Sequence, residues 1–357
     1  MKKLRVAIIG QGRSGRDIHG NYFLSPENDR FEVVAVVDAI ADRRERGIKD
    51  FGCDAYEDYR ELFNRKDIDL IVNASFSQEH YAIAKDCLEH GYNVLNEKPF
   101  AKTYYESMDL INTAKKNGVL VTAFHQSLYS PAVNVIREIL PTGKLGNIKQ
   151  INMCWSGFSR RWDWQTLQNH CAGGVYNTAP HPIGMALDFL GWDPDARVVY
   201  SHLDRALTSG DANDMAKIII TAPGKAIVDI EVNSADAFPS QNFKVLGDRG
   251  SLASGESGEI KIKYIVEDEL EPRPVTAEPL KHPETGYPMY CSEKLPFHEE
   301  VIEAPGSRFS TACDMYYKRL YDTLVNGAPL YVTAEKAAKV IEIIEAIHAQ
   351  NPLSVKY

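Results

Sequence analysis

Residues 6–15 read Val6-Ala7-Ile8-Ile9-Gly10-Gln11-Gly12-Arg13-Ser14-Gly15, four apolar residues that run directly into a glycine-rich turn. A short strand that is apolar on both faces is typical of a sheet buried between two layers of helices. Glycines spaced Gly-x-Gly-x-x-Gly after such a strand predict a tight turn that opens a helix. This stretch therefore predicts the first strand, turn and helix of a parallel α/β sheet.

The first third of the chain repeats this alternation. Short β-branched runs are followed by segments of helical period, as in parallel strands joined by crossover helices. The strand candidates are residues 4–9, 31–37, 70–74, 93–96 and 120–124, and helix candidates begin near residues 14, 42, 58, 78 and 103. We therefore predict that residues 1–125 form an N-terminal domain of the α/β class, with a doubly wound parallel sheet.

The pattern changes after residue 125. Longer alternating segments are typical of an open, mainly antiparallel sheet with one solvated face, and they lie at residues 148–158, 197–203, 215–221, 225–233, 242–246 and 259–266. A helix is predicted over about residues 175–190. Residues 126–357 are thus predicted to form a C-terminal α+β domain.

The end of the chain combines an irregular stretch with two helices. Residues 271–305 are dense in proline, which predicts an excursion without regular structure. Helical periodicity returns at residues 311–325 and 334–350. These closing helices are candidates for packing back onto the first domain.

The composition excludes several classes of protein. The chain has 357 residues, and 40 basic against 49 acidic residues give a formal charge of −9 without a basic stripe, which argues against a nucleic-acid partner. With no signal-peptide pattern and no apolar run near the roughly 20 residues of a membrane span, we expect a cytoplasmic protein without membrane contact. The six scattered cysteines predict reduced thiols and no metal site.

The glycine turn predicts a dinucleotide site. In such a turn Gly10 supplies the sharp bend, Gly12 admits a pyrophosphate and Gly15 lets the helix pack on the strand. Arg13 and Ser14 begin the helix, whose N-terminus attracts phosphate. The alternative is a tight glycine turn without a ligand.

Asp38 ends the second predicted strand, where a carboxylate can accept hydrogen bonds from the adenosine ribose. This position favours NAD over NADP, because a 2′-phosphate would meet a like charge. Two alternatives remain open. Arg43 and Arg44 could serve a 2′-phosphate, and an aspartate at a strand end is often a helix cap.

Lys98 follows the apolar run at residues 93–96 and precedes Pro99, which stiffens the turn. A lysine at this sheet edge could hydrogen-bond a substrate hydroxyl and stabilise a developing alkoxide. A surface lysine paired with Glu97 is the alternative.

His181 lies four residues after Asn177 in a segment that begins at Gly173-Gly174. If the segment is helical, the two side chains project from one face, although Pro180 and Pro182 predict a distorted helix entry. Histidine has the ordinary pKa of a general base near neutral pH. A structural histidine beside proline is the alternative.

The glycine turn, Glu97-Lys98-Pro99, the segment 173–181 and a closing segment at 331–337 occur in an order that resembles the Gfo/Idh/MocA family (glucose-fructose oxidoreductase, inositol dehydrogenase and rhizopine catabolism). The resemblance implies a Rossmann domain, a second domain used for dimer or tetramer contacts, and NAD-dependent chemistry on sugars or cyclitols. It implies catalytic roles for Lys98 and His181. The implied cofactor contacts are Gly10, Gly12, Arg13, Ser14, Gly15, Asp38, Ser75, His80, Glu97, Lys98 and Gln126.

The sequence departs from the usual family pattern at two positions. Asn177 stands where relatives commonly have an aspartate, and Gly184 stands where they often have another acid. Asparagine can orient a hydroxyl but cannot act as a base. The expected proton relay therefore depends on Lys98 and His181 alone.

Residues 159–165 lie in a region that the resemblance places at the substrate pocket. Indole rings of Trp162 and Trp164 would stack on sugar faces, and Arg161 would bind hydroxyls or an acid group. Asn177, Lys98 and His181 complete the predicted substrate site. A strand-edge cluster with cation-π packing is the alternative reading.

The predicted function is hydride transfer between NAD(H) and a secondary hydroxyl of a sugar, cyclitol or glycoside, by a homodimer or homotetramer formed through the C-terminal sheet. NADP is the less favoured cofactor. Two alternatives remain open: a glycosidase that oxidises its sugar transiently with bound NAD, and a dinucleotide-binding sensor without catalysis.

Overall fold

The structure is a computed structural model that describes residues 2–255, 258–277, 280–281, 284–306 and 309–357. Two sheets organise these residues. The first has six strands, which are β1 (Leu4–Ile9), β2 (Phe31–Val37), β3 (Asp54–Tyr56), β4 (Leu70–Asn73), β5 (Val94–Asn96) and β6 (Val121–Ala123). All of its pairings are parallel, in the order β3-β2-β1-β4-β5-β6. This is the predicted doubly wound sheet, with one extra short strand, β3.

Helices connect these strands. A π-helical segment, Arg13–Gly20, follows the glycine turn, and the helices are α1 (Asn21–Leu24), α2 (Ala41–Phe51), α3 (His80–Glu89) and α4 (Tyr104–Asn117). The start of α4 shows why helices begin where the sequence predicts: Thr103 and Glu106 form a reciprocal capping box. Gly118, in the left-handed region, ends the helix.

The second sheet has eight strands, which are β7 (Ile148–Ser156), β8 (Arg197–Asp204), β9 (Met215–Thr221), β10 (Ile227–Asn233), β11 (Phe243–Gly247), β12 (Gly250–Ser254), β13 (Ile260–Tyr264) and β14 (His298–Ile302). Their order is β14-β13-β12-β11-β7-β10-β9-β8. The pair β7 and β10 is parallel and the other pairs are antiparallel. The prediction of a mainly antiparallel sheet is confirmed.

Two strands of this sheet escaped prediction. Strand β12 is short and begins with Gly250-Ser251, which reads as a turn. Strand β14 lies inside the proline-dense stretch 271–305, so the prediction that this whole stretch is irregular was wrong at its end. Residues 278–279 and 282–283 of the stretch lie outside the described residues.

The helices of the second half are α5 (Pro131–Ile139), α6 (Gly174–Asn177), α7 (Pro180–Phe189), α8 (Ser310–Asn326) and α9 (Ala334–Gln350). The single helix predicted over 175–190 was wrong, since the chain breaks between α6 and α7. Proline is the physical reason. Neither Pro180 nor Pro182 has an N–H to donate to the preceding turn.

The two closing helices contact the first sheet. Tyr316 of α8 donates a hydrogen bond from its hydroxyl to Ala123 O at 2.8 Å, and Thr122 donates to Val332 O at 3.0 Å. Helix α9 packs along α4. Both halves therefore share one continuous apolar core, and the division at residue 125 stays a prediction.

All six cysteines are unpaired thiols, and most of them are buried. Among the described helices, none combines the length and apolar character that a membrane crossing requires.

Candidate functional site

A cleft of about 830 Å³ opens at the carboxyl ends of β1, β2, β4 and β5. Ligands of open α/β sheets bind at this edge, outside the carboxyl ends of the strands. The second half of the chain lines the cleft with Arg161, residues 163–165 and Asn177. The predicted site residues on its wall are Gly10, Gly12, Arg13, Ser14, Asp38, Ser75, Lys98, Arg161, Trp164 and Asn177.

The glycine turn is built by close backbone approaches. Gly10 has a φ of +86°, and a Cβ there would lie 2.4 Å from the oxygen of Ala74. A Cβ on Gly15 would lie 1.8 Å from the oxygen of Gly10. Larger residues cannot occupy either position without moving the backbone.

Gly12 differs from its two neighbours in the motif. A Cβ there would meet nothing nearer than Arg43 Nη1 at 3.8 Å, so space remains on the cleft side of the turn. Side chains do not cap the helical segment that starts at Arg13, among the described residues. An open helix start beside a glycine is the arrangement that binds a pyrophosphate, and the residues present fit a dinucleotide.

Asp38 joins the turn to the next helix. Its Oδ2 accepts a hydrogen bond from Gln11 N at 2.8 Å, and its Oδ1 accepts one from Ile40 N at 2.9 Å. Arg43 lies 3.4 Å from Oδ2, while Arg44 donates to the Asp38 carbonyl at 2.7 Å. Asp38 thus lines the cleft and accepts hydrogen bonds from two backbone amides, but its side chain does not cap α2, so the prediction of a helix cap was wrong.

The side chain of Lys98, in the first half of the chain, contacts Asn177 in the second half. Its Nζ donates to Asn177 O at 2.6 Å and lies 3.3 Å from Asn177 Oδ1. In an unbroken helix the carbonyl of Asn177 would accept from the amide of His181. That amide instead donates to Thr178 O at 3.2 Å. Thr178 O is free to accept it because Pro182, which has no N–H, cannot donate the usual helical hydrogen bond to it. The proline pair therefore leaves a carbonyl available for the ammonium.

The electrostatic surroundings act on the Lys98 ammonium in both directions. Burial lowers the pKa of Lys98, the Glu97 carboxylate raises it, and Arg13 and Arg161 lower it. The net effect is a pKa below the ordinary lysine value. A lysine of this kind can exchange a proton with a hydroxyl more readily than a surface lysine.

His181 contacts a different residue. Its Nδ1 is 2.9 Å from Ser127 Oγ, in the turn that follows β6. Within the described part of the chain, the cleft wall includes Asn177 but not His181. The structure thus joins Lys98 to Asn177 and joins His181 to Ser127, a residue that sequence reasoning missed.

Four of the predicted cofactor contacts are buried and, among the described residues, do not line the cleft; one of them is Gly15. His80 places Nδ1 2.7 Å from Pro99 O and Nε2 3.2 Å from Ser75 O, and burial lowers the pKa of its imidazole. Gln126 and Glu97 are also buried. His80 therefore ties the Lys98 turn to Ser75, which does line the cleft.

The loop after β7 forms the opposite wall. Trp164 packs edge-on against Phe76 of the first half, with ring centroids 5.0 Å apart. Arg161 is paired with Asp163 through bonds of 2.8 to 3.0 Å. Trp162 is 79% exposed and, among the described residues, lies outside the cleft wall.

Two family models match the chain. Residues 4–125 match the oxidoreductase family with an NAD-binding Rossmann fold, and residues 133–253 match the GFO/IDH/MocA C-terminal domain. The chain belongs to the GFO/IDH/MocA oxidoreductase family. The family resemblance read from the sequence is thereby confirmed.

Individual relatives are distant but span most of the chain. The "uncharacterized oxidoreductase YdgJ" of Escherichia coli is 24% identical over 96% of this chain and 94% of its own length. A scyllo-inositol 2-dehydrogenase (NADP(+)), IolW of Bacillus subtilis, is 22% identical over 96% and 92%. A solved oxidoreductase from Agrobacterium radiobacter, in complex with NAD+, L-tartaric acid and magnesium, has a TM-score of 0.77 at 15% identity, covering 99% and 98%. This last likeness supports the fold.

Proposed function

We propose that the protein is an NAD(H)-dependent dehydrogenase that moves a hydride between a nicotinamide and a secondary hydroxyl of a sugar, cyclitol or glycoside. One observation carries the proposal. Lys98 leaves the carboxyl end of β5 beside the glycine turn, and Asn177 of the second half holds its ammonium at 2.6 Å. A cation held where a dinucleotide and a substrate would meet can stabilise an alkoxide.

The chain's own residues divide the work on the hydroxyl. Lys98 binds the hydroxyl oxygen and stabilises its negative charge as the proton leaves. We assign the acceptance of that proton to the imidazole of His181, whose Nδ1 lies 2.9 Å from Ser127 Oγ. Asn177 orients both the ammonium and the substrate. A bound nicotinamide supplies the hydride acceptor.

The cofactor assignment is NAD rather than NADP. Asp38 lines the cleft at the end of β2, and its carboxylate would accept hydrogen bonds from a ribose diol while repelling a 2′-phosphate. Arg43 lies beside it and is the residue through which NADP would be accepted. A Kd for NAD+ at least ten times lower than for NADP+ is the expected result of a titration.

The substrate assignment depends on the loop after β7. Arg161 and Trp164 line the cleft beside Lys98, and they match the hydroxyl groups and apolar ring faces of a sugar. Trp162 lies on the same loop and could cover a larger glycoside. These residues support a role in carbohydrate metabolism.

We also propose a cytoplasmic homodimer or homotetramer formed through the open face of the second sheet. Residues Asn152, Lys217, Asp229, Glu231 and Lys244 line a shallow pocket of about 320 Å³ there. Lys217 and Asp229 are paired at 2.7 Å on this face. Light scattering of the purified chain tests the subunit number.

The direct test is label transfer. A panel of sugars, cyclitols and glycosides carrying deuterium at their carbinol carbons is incubated with the protein and NAD+, and deuterium in the cofactor is measured by mass spectrometry. The proposal predicts transfer from at least one compound. Aglycone release without net NADH would instead favour a glycosidase, and tight NAD+ binding without transfer would favour a sensor.

A further inference from the structure

A network of buried polar groups links Lys98 to Glu97, His19 and Tyr317. The Lys98 amide donates to Glu97 Oε2 at 2.9 Å. Glu97 Oε1 lies 3.2 Å from His19 Nε2, and His19 Nδ1 lies 2.6 Å from the Tyr317 hydroxyl. The side chains of His19 and Glu97 are 0% and 4% exposed. A carboxylate so deeply buried persists only when it is paired.

Three separate elements of the fold hold this network of polar groups in place. His19 lies in the π-helical segment after the glycine turn, and π turns are frequent at functional sites. Tyr317 lies in α8 and stacks on Tyr22 with ring centroids 4.4 Å apart. The His19 ring also packs on Phe124, at 4.4 Å. The imidazole is therefore fixed from both sides.

The charge on Glu97 follows from these contacts. Burial alone would raise the pKa of its carboxyl, but the contact with His19, together with Lys98 and the Lys98 amide, holds the pKa at about 2. The group is ionised at neutral pH. It raises the pKa of Lys98, in opposition to burial, Arg13 and Arg161.

We propose that the buried Glu97 carboxylate is the counter-charge of the Lys98 ammonium and favours its charged form, and that His19 and Tyr317 are positioning residues that hold this carboxylate in place. The inference rests on the proposed function, in which the Lys98 ammonium binds the hydroxyl. It assigns a role to His19, in the helical segment after the glycine turn, and to Tyr317, in α8. Neither residue lines the cleft.

Other titratable groups surround the pair and could also influence Lys98. They are Arg13 at the glycine turn, Arg161 in the loop after β7, His80, His125, and Cys313 and Tyr316 of α8. Burial and the Lys98 charge lower the pKa of His125 to about 4, and burial lowers that of His80, so neither imidazole adds charge near pH 7. Glu97 supplies the negative charge in this set.

The experiment measures Lys98 without turnover. The full chain is treated with an amine-reactive reagent from pH 6 to 11, and labelling of the Lys98 peptide is followed by mass spectrometry to give a titration midpoint. Glu97→Gln keeps the shape and loses the charge, so its midpoint should fall by about one pH unit. Glu79→Gln removes another carboxylate of the cleft wall, and its midpoint should stay at the wild-type value.

The His19 variants keep the proposal testable if Glu97→Gln does not fold. His19→Gln retains an amide donor near the position of Nε2 and should keep the wild-type midpoint. His19→Leu leaves Glu97 ionised across this pH range but no longer held in place, so the Lys98 midpoint should fall by less than in Glu97→Gln. Equal midpoints in wild type, folded Glu97→Gln and His19→Leu would overturn the proposal, even if their thermal stability falls. The titration of Lys98 uses no substrate. Its result can therefore be interpreted even if the label-transfer test fails.

Discussion

The two walls of the cleft are built in different ways. The wall that we propose holds the cofactor (the cofactor wall) includes glycines that approach other backbone atoms and Asp38, whose carboxylate accepts hydrogen bonds from two backbone amides. The wall that we propose holds the substrate (the substrate wall) includes Lys98 and side chains of the loop after β7, and the Lys98 ammonium contacts the Asn177 carbonyl at the helix break. The comparison teaches that dinucleotide binding and hydroxyl chemistry should respond separately to mutation.

Lys98→Ala should have the largest effect. It removes the cation from the substrate wall, and loss of one such donor costs about a thousandfold in kcat. The Kd for NAD+ should change less than about threefold, because the glycine turn is untouched. Steady-state kinetics and a cofactor titration measure the two quantities. A parallel loss of NAD+ binding would contradict the claim that cofactor binding and hydroxyl chemistry respond separately to mutation.

Gly15→Ala tests the cofactor wall. Its Cβ would lie 1.8 Å from Gly10 O, so the turn must shift, and we expect the Kd for NAD+ to rise about a hundredfold. Gly52→Ala is the matched control. Unlike Gly15, Gly52 has a positive φ, +64°, but a Cβ there meets nothing within 4 Å. The control should lower thermal stability slightly and leave the Kd unchanged.

Replacing both Pro180 and Pro182 by Ala tests the helix break. Restored amides would let the His181 N–H donate to Asn177 O, and the Lys98 ammonium would lose that acceptor. We expect kcat to fall about tenfold, the size of one hydrogen bond to a charged group. Pro131→Ala, at the start of α5, is the control for general proline effects. An unchanged kcat in the double variant would show that the helix break is not needed for the reaction.

Asn177→Asp should have the smallest effect and sharpens the electrostatic account. A carboxylate about 3 Å from the ammonium favours the charged form, so the pKa of Lys98 should rise. If the ammonium is the active form, the alkaline limb of the kcat profile should move to higher pH by about one unit. A limb that moves to lower pH would contradict the assigned protonation state.

Sequence reasoning succeeded where local pattern and tertiary demand agree. The strand and glycine spacing at residues 4–15 predict the first sheet, because buried parallel strands are apolar on both faces. Lys98 could be placed at the sheet edge for the same reason. Short strands such as β3 and β12 lack enough residues to show a period.

Contacts between distant residues were not predictable in the same way. Ser127 meets His181 across 54 positions, and His19 meets Tyr317 across 298. A partial signal existed, since His19 lies four residues after Gly15 and thus on the same face of the following helix. Its partner, however, is chosen by how α8 packs on the first sheet.

The most direct test of the central claim is a crystal structure with NAD+ and the most reactive polyol of the panel. We predict one substrate hydroxyl oxygen within hydrogen-bond reach, about 2.6–3.2 Å, of both Lys98 Nζ and the imidazole of His181, with the carbinol carbon facing the nicotinamide. A substrate bound elsewhere, with His181 directed away from the Lys98 ammonium, would contradict the account.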